Sequence, residues 1–286
     1  MEFINLHVIA ALIYSGLVLL SALSANKILR YGIPLLAILL SVAIDTDVVF
    51  VMQAVGYIGV TFLLKTQKGL PDWLKYFLWA VWGILSVGLL THTLPGYSGI
   101  QLTVLEPVKA NSLATIVYLN TDKVLIAWSL LLWIPIWQRC TTFTHSHSPK
   151  WLPFLIAITG IPAILFLATQ LGLIQWQPEL NNLIVIIVIS NLLNTCFTEE
   201  LLFRGLMQSW LSTKLGVVSG LLITGMLFGL AHFAGGYLYV CLAIMAGLLY
   251  GLIYVLSGRL IWSVMCHWML NSAHVLLLTW PVVKPG

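Results

Sequence analysis

Two acidic side chains and one basic side chain lie close together in a chain that carries few charges. The stretch TEELLFRG, residues 198–205, holds Glu199, Glu200 and Arg204 directly after the apolar run NLIVIIVISNLL. In a helix Glu200 and Arg204 are i and i+4 with the acid first, the favourable order for an ion pair. Glu199 is rotated about 100° away. The spacing predicts one structural ion pair and one carboxylate placed for acid–base chemistry. The alternative at this point is a helix end at the headgroups, with both acids solvated.

Two histidines further along the chain have the spacing of residues that share a helical face. His232 follows Phe228 by four residues in LFGLAHFAGG, and Asn271 follows His267 by four in CHWMLNSAHV. A single histidine in an apolar helix is more often a packed, hydrogen-bonded core residue than a catalyst. Two histidines, an amide and two carboxylates in successive apolar segments instead indicate a shared site. Such groups could activate a water molecule and stabilise an oxyanion.

The composition places these residues in a membrane protein. The chain is 60% hydrophobic and 8% charged, with a mean hydropathy of +1.01, whereas a soluble domain carries about 25% charged residues. The net charge of +4 is spread thinly and forms no nucleic-acid patch. The four cysteines are scattered without a CxxC pair, which excludes a disulfide or zinc framework.

The elements that must position the site are apolar, helix-length runs. They predict an all-α, polytopic membrane helix bundle of about nine to ten spans. The runs are roughly 7–26, 33–44, 48–64, 73–92, 123–137, 151–172, 181–198, 216–233, 236–256 and 260–280. The second and third flank Asp45 and Asp47 and form either a tight hairpin or one broken helix. The first run is followed by Lys27 and Arg30 rather than by small residues, so we expect no cleavable signal peptide.

Loop charges predict which side faces the cytoplasm. With a hairpin at 33–64 and the N-terminus outside, three of the 13 basic residues, Lys109, Lys123 and Lys284, fall on one side. The others fall on or toward the opposite side, which we expect to be cytoplasmic. They are Lys27, Arg30, Lys65, Lys68, Lys75, Arg139, Lys150, Arg204, Lys214 and Arg259.

Helix lengths predict that the polar residues converge. Gly216 is a natural helix breaker, and it lies 17 residues after Glu199 and 16 before His232. In an antiparallel hairpin those two positions lie at nearly the same height. His267 is eight residues past Arg259, or about 12 Å into the next helix. We expect one cavity that opens toward the side of Lys214 and Arg259, lined by Glu199, His232, His267 and Asn271.

The ordered motifs resemble those of the CPBP family of intramembrane proteases, also called the CAAX protease or Abi family, which includes the Ras-converting CAAX prenyl endopeptidases. The family patterns EExxxR, FxxxH and HxxxN occur here in order. They are Glu199-Glu200-x-x-x-Arg204, Phe228-x-x-x-His232 and His267-x-x-x-Asn271. The resemblance covers about 181–280. The rest of the chain does not match the family, so the substrate class of the family cannot be transferred to this chain.

The resemblance implies a role for each matched residue. Glu199 would be the general base, and His232 would hold and polarise the water. His267 and Asn271 would donate hydrogen bonds to the developing oxyanion. Glu200 and Arg204 would orient the site, with Phe228 as a further supporting residue, and Arg204 could also bind a substrate carboxylate.

A metal-free, glutamate-type site is favoured, with zinc as the alternative. Glutamate and histidine can ligate zinc, so that Glu199, His232 and His267 could supply three ligands. Asparagine is a poor zinc ligand, and the chain has no HExxH motif.

Two other function classes stay open from the residues alone. One is a non-catalytic relative, a scaffold or immunity factor that binds a peptide in the same cavity. The other is a transporter with buried ion-coupling residues, although no repeat symmetry supports it.

The chain divides at the linker QRCTTFTHSHSPK. We expect accessory transmembrane helices in 1–150 and a catalytic bundle in 151–286, with the motifs in 181–280. The expected location is the cell membrane of a prokaryote, with multiple passes. Expected partners are the bilayer and a membrane-associated or lipid-modified peptide or protein substrate, with no nucleic acid.

Overall fold

The structure is a computed structural model that describes residues 6–44, 46–143 and 149–284. Asp45 and linker residues 144–148 lie outside the described residues. Most of the described chain is helical, with only four two-residue strands. The predicted all-α membrane bundle is confirmed.

The N-terminal part contains five helices. Their bounds are α1 Leu6–Ala22, α2 Lys27–Leu40, α3 Val48–Thr66, α4 Asp72–Thr91 and α5 Lys123–Leu131. A 3₁₀ turn, Ser41–Ile44, follows α2, and the Asp47 side chain caps α3 by accepting from the Val49 N–H at 2.6 Å. Because α2 and α3 are separate helices that pack on each other, this region has the hairpin form.

The C-terminal part contains one long interrupted helix and four further helices. The long helix, residues 182–215, is called the motif helix below. It runs through α7 Asn182–Ser190, a π-helical segment Asn191–Cys196, α8 Phe197–Glu200, a second π-helical segment Leu201–Gln208, and α9 Ser209–Leu215. The other helices are α6 Leu152–Gln170, α10 Val217–Leu230, α11 Tyr237–Ser257 and α12 Leu260–Leu277.

The connection between α4 and α5 forms short strands that the sequence patterns did not predict. Strand β1 (Ile100–Gln101) pairs with β4 (Tyr118–Leu119), and β2 (Glu106–Pro107) pairs with β3 (Ala114–Thr115), both antiparallel. Lys109 follows β2 and is only 2% exposed. Its ammonium donates to the carbonyls of Gln177, Leu276 and Leu278 at 2.8, 3.3 and 2.8 Å. Since an ammonium has three hydrogens, Lys109 is fully used in fixing this connection to the end of α12.

Six of the described helices are long and apolar enough to cross a membrane. They are Val48–Thr66, Asp72–Thr91, Leu152–Gln170, Asn182–Leu215, Tyr237–Ser257 and Leu260–Leu277. Two shorter apolar helices, Leu6–Ala22 and Val217–Leu230, accompany them. The chain is an integral, multi-pass membrane protein. The count of nine to ten spans stays a prediction.

The described residues form two compact units. The first holds α1–α5 and residues 193–198, and the second holds 103–117, 134–192 and the chain from Glu199 onward. In the first unit, the Tyr57 hydroxyl bonds to the Ser129 hydroxyl at 2.6 Å inside the core. In the second, the core is built from α6, α11 and α12 around Tyr250 and Ile253. The domain boundary at residue 150 stays a prediction.

Candidate active site

The motif helix presents its acidic pair between two π-helical segments. It begins at the cap Asn181, whose side chain accepts from the Ile184 N–H at 2.9 Å, and it ends at Gly216, where φ is 87°. The break at Gly216 is the one that the sequence predicts. π-helical turns inside α-helices are rare overall, and those that occur are often found at functional sites. Here they flank α8, the four residues that end with Glu199 and Glu200.

Glu200 is the centre of a buried polar network. Its Oε1 accepts from Arg204 Nη1 and from His267 Nδ1, both at 2.9 Å, and its Oε2 accepts from Ser263 Oγ at 2.5 Å. The side chain is fully buried. The predicted Glu200–Arg204 ion pair is therefore confirmed. A charge buried this deeply is stable only when paired and hydrogen-bonded, so Glu200 is a structural carboxylate.

Arg204 is fixed by its ion pair with Glu200, one backbone carbonyl and two aromatic rings. It is fully buried, and its Nη2 donates to the Gly247 carbonyl at 2.9 Å. The guanidinium carbon lies 4.4 Å from the Phe228 ring centroid and 5.3 Å from the Tyr250 centroid. These are cation–π distances, and desolvation strengthens such contacts.

A ladder of side chain–to–backbone hydrogen bonds ties the motif helix to α11. Arg204 and Gln208 are four residues apart, and they donate to the carbonyls of Gly247 and Gly251, also four apart, at 2.9 and 3.1 Å. There is little space for a side chain at either acceptor position. A Cβ on Gly247 would lie 3.1 Å from the carbonyl oxygen of Gly225, and one on Gly251 would lie 2.7 Å from Gln208 Oε1.

His267 is fixed by three contacts. Its ring stacks on the Tyr250 ring at 4.6 Å with an interplanar angle of 15°, and Phe228 lies edge-on at 5.7 Å. Its Nδ1 faces the Glu200 carboxylate, which can only accept, so Nδ1 carries a hydrogen. Nε2 is the ring nitrogen left for other chemistry.

His232 is oriented by the end of its own helix. It lies just after α10, half-buried, with Nδ1 2.8 Å from the Phe228 carbonyl. Because a carbonyl oxygen only accepts, Nδ1 carries the hydrogen, and Nε2 of the neutral ring is an acceptor. The Phe228 ring lies 4.7 Å from the His232 ring. Phe228 thus contacts Arg204, His232 and His267.

Glu199 precedes Glu200 directly in the chain and is buried, with 9% exposure. On the His232 side of the group, the Tyr239 ring lies 6.0 Å from the His232 ring. Tyr239 is near the start of α11, so this helix contributes a ring close to the histidine of the second motif.

Asn271 lies one helical turn beyond His267. Its Nδ2 donates to Asn191 Oδ1 at 3.1 Å, and Asn191 begins the first π-helical segment. An amide nitrogen has two hydrogens, and this bond uses one of them. The contacts described here gather Glu200, Arg204, Phe228, His232 and His267. Glu199 is adjacent to Glu200 in the chain, and Asn271 lies one helical turn after His267.

Comparison with known families covers this same region. Residues 181–273 match the family model described as Type II CAAX prenyl endopeptidase Rce1-like. This segment is therefore similar to the CAAX protease family. All three sequence motifs lie inside the matched residues, which make up roughly a third of the chain. No curated protein and no solved structure shows significant similarity to the chain.

The zinc alternative can be compared with the geometry of the described residues. Within residues 6–44, 46–143 and 149–284, no three His, Cys, Asp or Glu side chains are grouped as a metal-ligand set. The Nδ1 atoms of His232 and His267 are engaged with a carbonyl and a carboxylate. We therefore derive no chemical step through a metal.

Three residues of the site were missed by sequence reasoning. Ser263 is four residues before His267 on α12, so helical periodicity could have found it. Tyr250 and Tyr239 lie on α11, and α11 carries no motif, so no sequence pattern marked them. His274, a further histidine of α12, bonds the Thr279 carbonyl at 3.1 Å.

Proposed function

We propose that the chain is a CAAX-type intramembrane endopeptidase that hydrolyses a peptide bond with a water molecule activated by Glu199 and His232. The observation that carries this proposal is that Glu200, one of the two adjacent glutamates, is engaged in the buried hydrogen-bond network. Glu200 accepts hydrogen bonds from Arg204, His267 and Ser263, so it is engaged as the buried partner of these three donors. We assign proton transfer to the neighbouring Glu199, the first residue of the EExxxR motif.

The orientation of His232 supports its role in holding the water. Its Nδ1–H is committed to the Phe228 carbonyl, so Nε2 accepts a hydrogen bond from the water. Glu199 takes the other water proton as the oxygen attacks the scissile carbonyl carbon. The same carboxyl group then delivers that proton to the leaving amine as the peptide bond breaks.

His267 and Asn271 are placed to stabilise the oxyanion in this scheme. With Nδ1–H donated to Glu200, the imidazolium form of His267 donates through Nε2–H. Stacking on Tyr250 and the bond to Glu200 hold this ring in place before the substrate binds. Asn271 adds its second amide hydrogen. A preorganised donor of this kind is worth about 3–4 kcal/mol of transition-state stabilisation.

The substrate we propose is a membrane-associated or lipid-modified peptide or protein. The family name denotes endopeptidases that act at CAAX prenyl sequences, and a site inside a helical membrane bundle favours a substrate delivered by the bilayer. We place the site in a cavity open to the cytoplasmic side of a prokaryotic cell membrane, following the positive charges of the loops.

Purified protein in lipid nanodiscs tests the proposal directly. A farnesylated peptide ending in a CAAX sequence, its unprenylated twin and a library of membrane peptides are each incubated with the protein, and products are identified by mass spectrometry. We expect endoproteolytic cleavage of at least one lipid-modified or membrane-embedded substrate. Binding without cleavage of any of them would favour the scaffold or immunity-factor alternative.

Removing metal should leave the activity unchanged. The proposed scheme uses every motif residue without a metal, and the described residues gather no three-ligand set. Exhaustively chelated protein should therefore cleave at the parent rate and contain no stoichiometric zinc by elemental analysis. Loss of activity on chelation, with recovery at about one equivalent of Zn²⁺, would establish metal-assisted hydrolysis instead.

A further inference from the structure

A cavity lies between α6, the end of α11 and α12. Its volume is about 530 Å³, within the range of about 300–1,000 Å³ typical of ligand pockets. Its walls are mainly apolar, with Phe154 and Trp262 in edge contact at 4.9 Å. Phe154, Trp262 and Met269 are 50%, 38% and 49% exposed. In a membrane-spanning bundle, such exposed apolar walls face lipid chains.

The mouth of this cavity is basic. Arg139, Lys150 and Arg259 all line it, all three are exposed, and no carboxylate is found among the described lining residues. All three belong to the set that loop charges assign to the cytoplasmic side. Negatively charged lipids are concentrated in that leaflet, and basic pockets between transmembrane helices bind their headgroups.

The backbone fixes these cations in place. The Cys140 N–H donates to the Gly258 carbonyl at 2.7 Å, which holds Arg139 beside the end of α11. Gly258 has a φ of 67° and ends α11 in a left-handed conformation. The next residue, Arg259, is the cap of α12. Lys150 precedes α6 by two residues. The positive N-terminal ends of α6 and α12 therefore lie at the same mouth and add to its attraction for an anion.

The cavity is separate from the candidate active site. On α12, Trp262, Met265 and Met269 form one helical stripe that lines it, and Cys266 lines it at the edge of that stripe. Ser263 and His267 form another stripe, about 150° around the helix axis at 100° per residue. A ligand in the cavity would thus pack against the side of α12 that faces away from Glu200.

We propose that this cavity is a binding site for an anionic phospholipid of the cytoplasmic leaflet. The phosphate lies among Arg139, Lys150 and Arg259, and an acyl chain lies along the wall formed by Phe154 and Trp262. The inference goes beyond the proposed protease function, and binding does not require catalysis.

Lipid binding to the purified protein tests this site. Phosphatidylglycerol and phosphatidylcholine with identical acyl chains are titrated separately, and bound lipids are counted by native mass spectrometry. The parent should prefer phosphatidylglycerol. The triple variant Arg139→Gln, Lys150→Gln, Arg259→Gln should bind it about a hundredfold more weakly, since each removed cation costs about fivefold. Ala157→Phe, which fills the apolar part of the cavity, should weaken binding of both lipids.

A matched variant distinguishes lipid binding at this cavity from attraction by the general positive charge of the surface. Lys68, Lys75 and Lys214 are exposed on the same predicted side but do not line the cavity. Replacing all three with glutamine should change phosphatidylglycerol affinity less than twofold, and melting curves establish that each variant is folded. Equal binding of the two lipids by the parent, or equal losses in the two triple variants, would refute the site. Competition by soluble glycerol phosphate at similar affinity would also refute it, because the occupant would then be a free phosphate.

Discussion

Replacing Glu199 with glutamine should reduce the cleavage rate by about 10²–10⁴-fold, the usual contribution of a general base. Glutamine keeps the shape of the side chain but cannot accept the water proton. The loss should appear in kcat with KM nearly unchanged, because the proton is transferred only in the transition state. Initial rates with a lipid-modified peptide in nanodiscs measure both parameters.

The stability of the Glu199→Gln variant separates a chemical role from a structural one. Its thermal midpoint in detergent should match that of the parent, because the ion pair of the motif helix belongs to Glu200. Near-normal turnover by folded Glu199→Gln protein would remove Glu199 from the mechanism. An unfolded variant would instead assign Glu199 to the fold.

Replacing Glu200 with alanine should lower the free energy of unfolding by about 3–5 kcal/mol and abolish cleavage. The change leaves the Arg204 guanidinium buried without its carboxylate, and an uncompensated buried charge costs about this much. It also removes the acceptor of the Ser263 hydroxyl and of His267 Nδ1. Denaturant titration in mixed micelles, followed by tryptophan emission, measures the change.

A double-mutant cycle tests the origin of that loss. Glu200→Met combined with Arg204→Met removes both charges, so the double variant should be more stable than Glu200→Met alone. Asp72→Ala, at an exposed acid in the first turn of α4, is the matched control and should cost less than about 1 kcal/mol. A Glu200→Ala protein as stable as the parent would show that the buried network does not support the fold.

The parts of the site predictable from the sequence are those set by spacing within one helix. The order Glu200 then Arg204 at i and i+4 predicts their ion pair, and Gly216 predicts the end of the motif helix. Both features depend on local geometry. Apolar run lengths likewise predict the helices to within a few residues at most ends, because the length of a span is set by the bilayer.

The parts that could not be predicted depend on contacts between helices. No pattern in α11 indicates that Gly247 and Gly251 offer their carbonyls to the motif helix, since the acceptors are backbone atoms. The pairing of His267 Nδ1 with Glu200 was also not predicted, because the sequence analysis considered His267 as an oxyanion donor or a zinc ligand. The π-helical segments, too, have no sequence signal.

The buried network around Glu200 has a consequence for how the chain enters the membrane during synthesis. Arg204 lies on the same helix as Glu200, so their pair can form as soon as that helix is made. Ser263 and His267 lie on α12 and are synthesised later. A nascent chain that stops before Leu260 would therefore present Glu200 with one of its three donors. We expect the insertion of α12 to complete the hydrogen bonds of Glu200 and so to stabilise the motif helix in the bilayer.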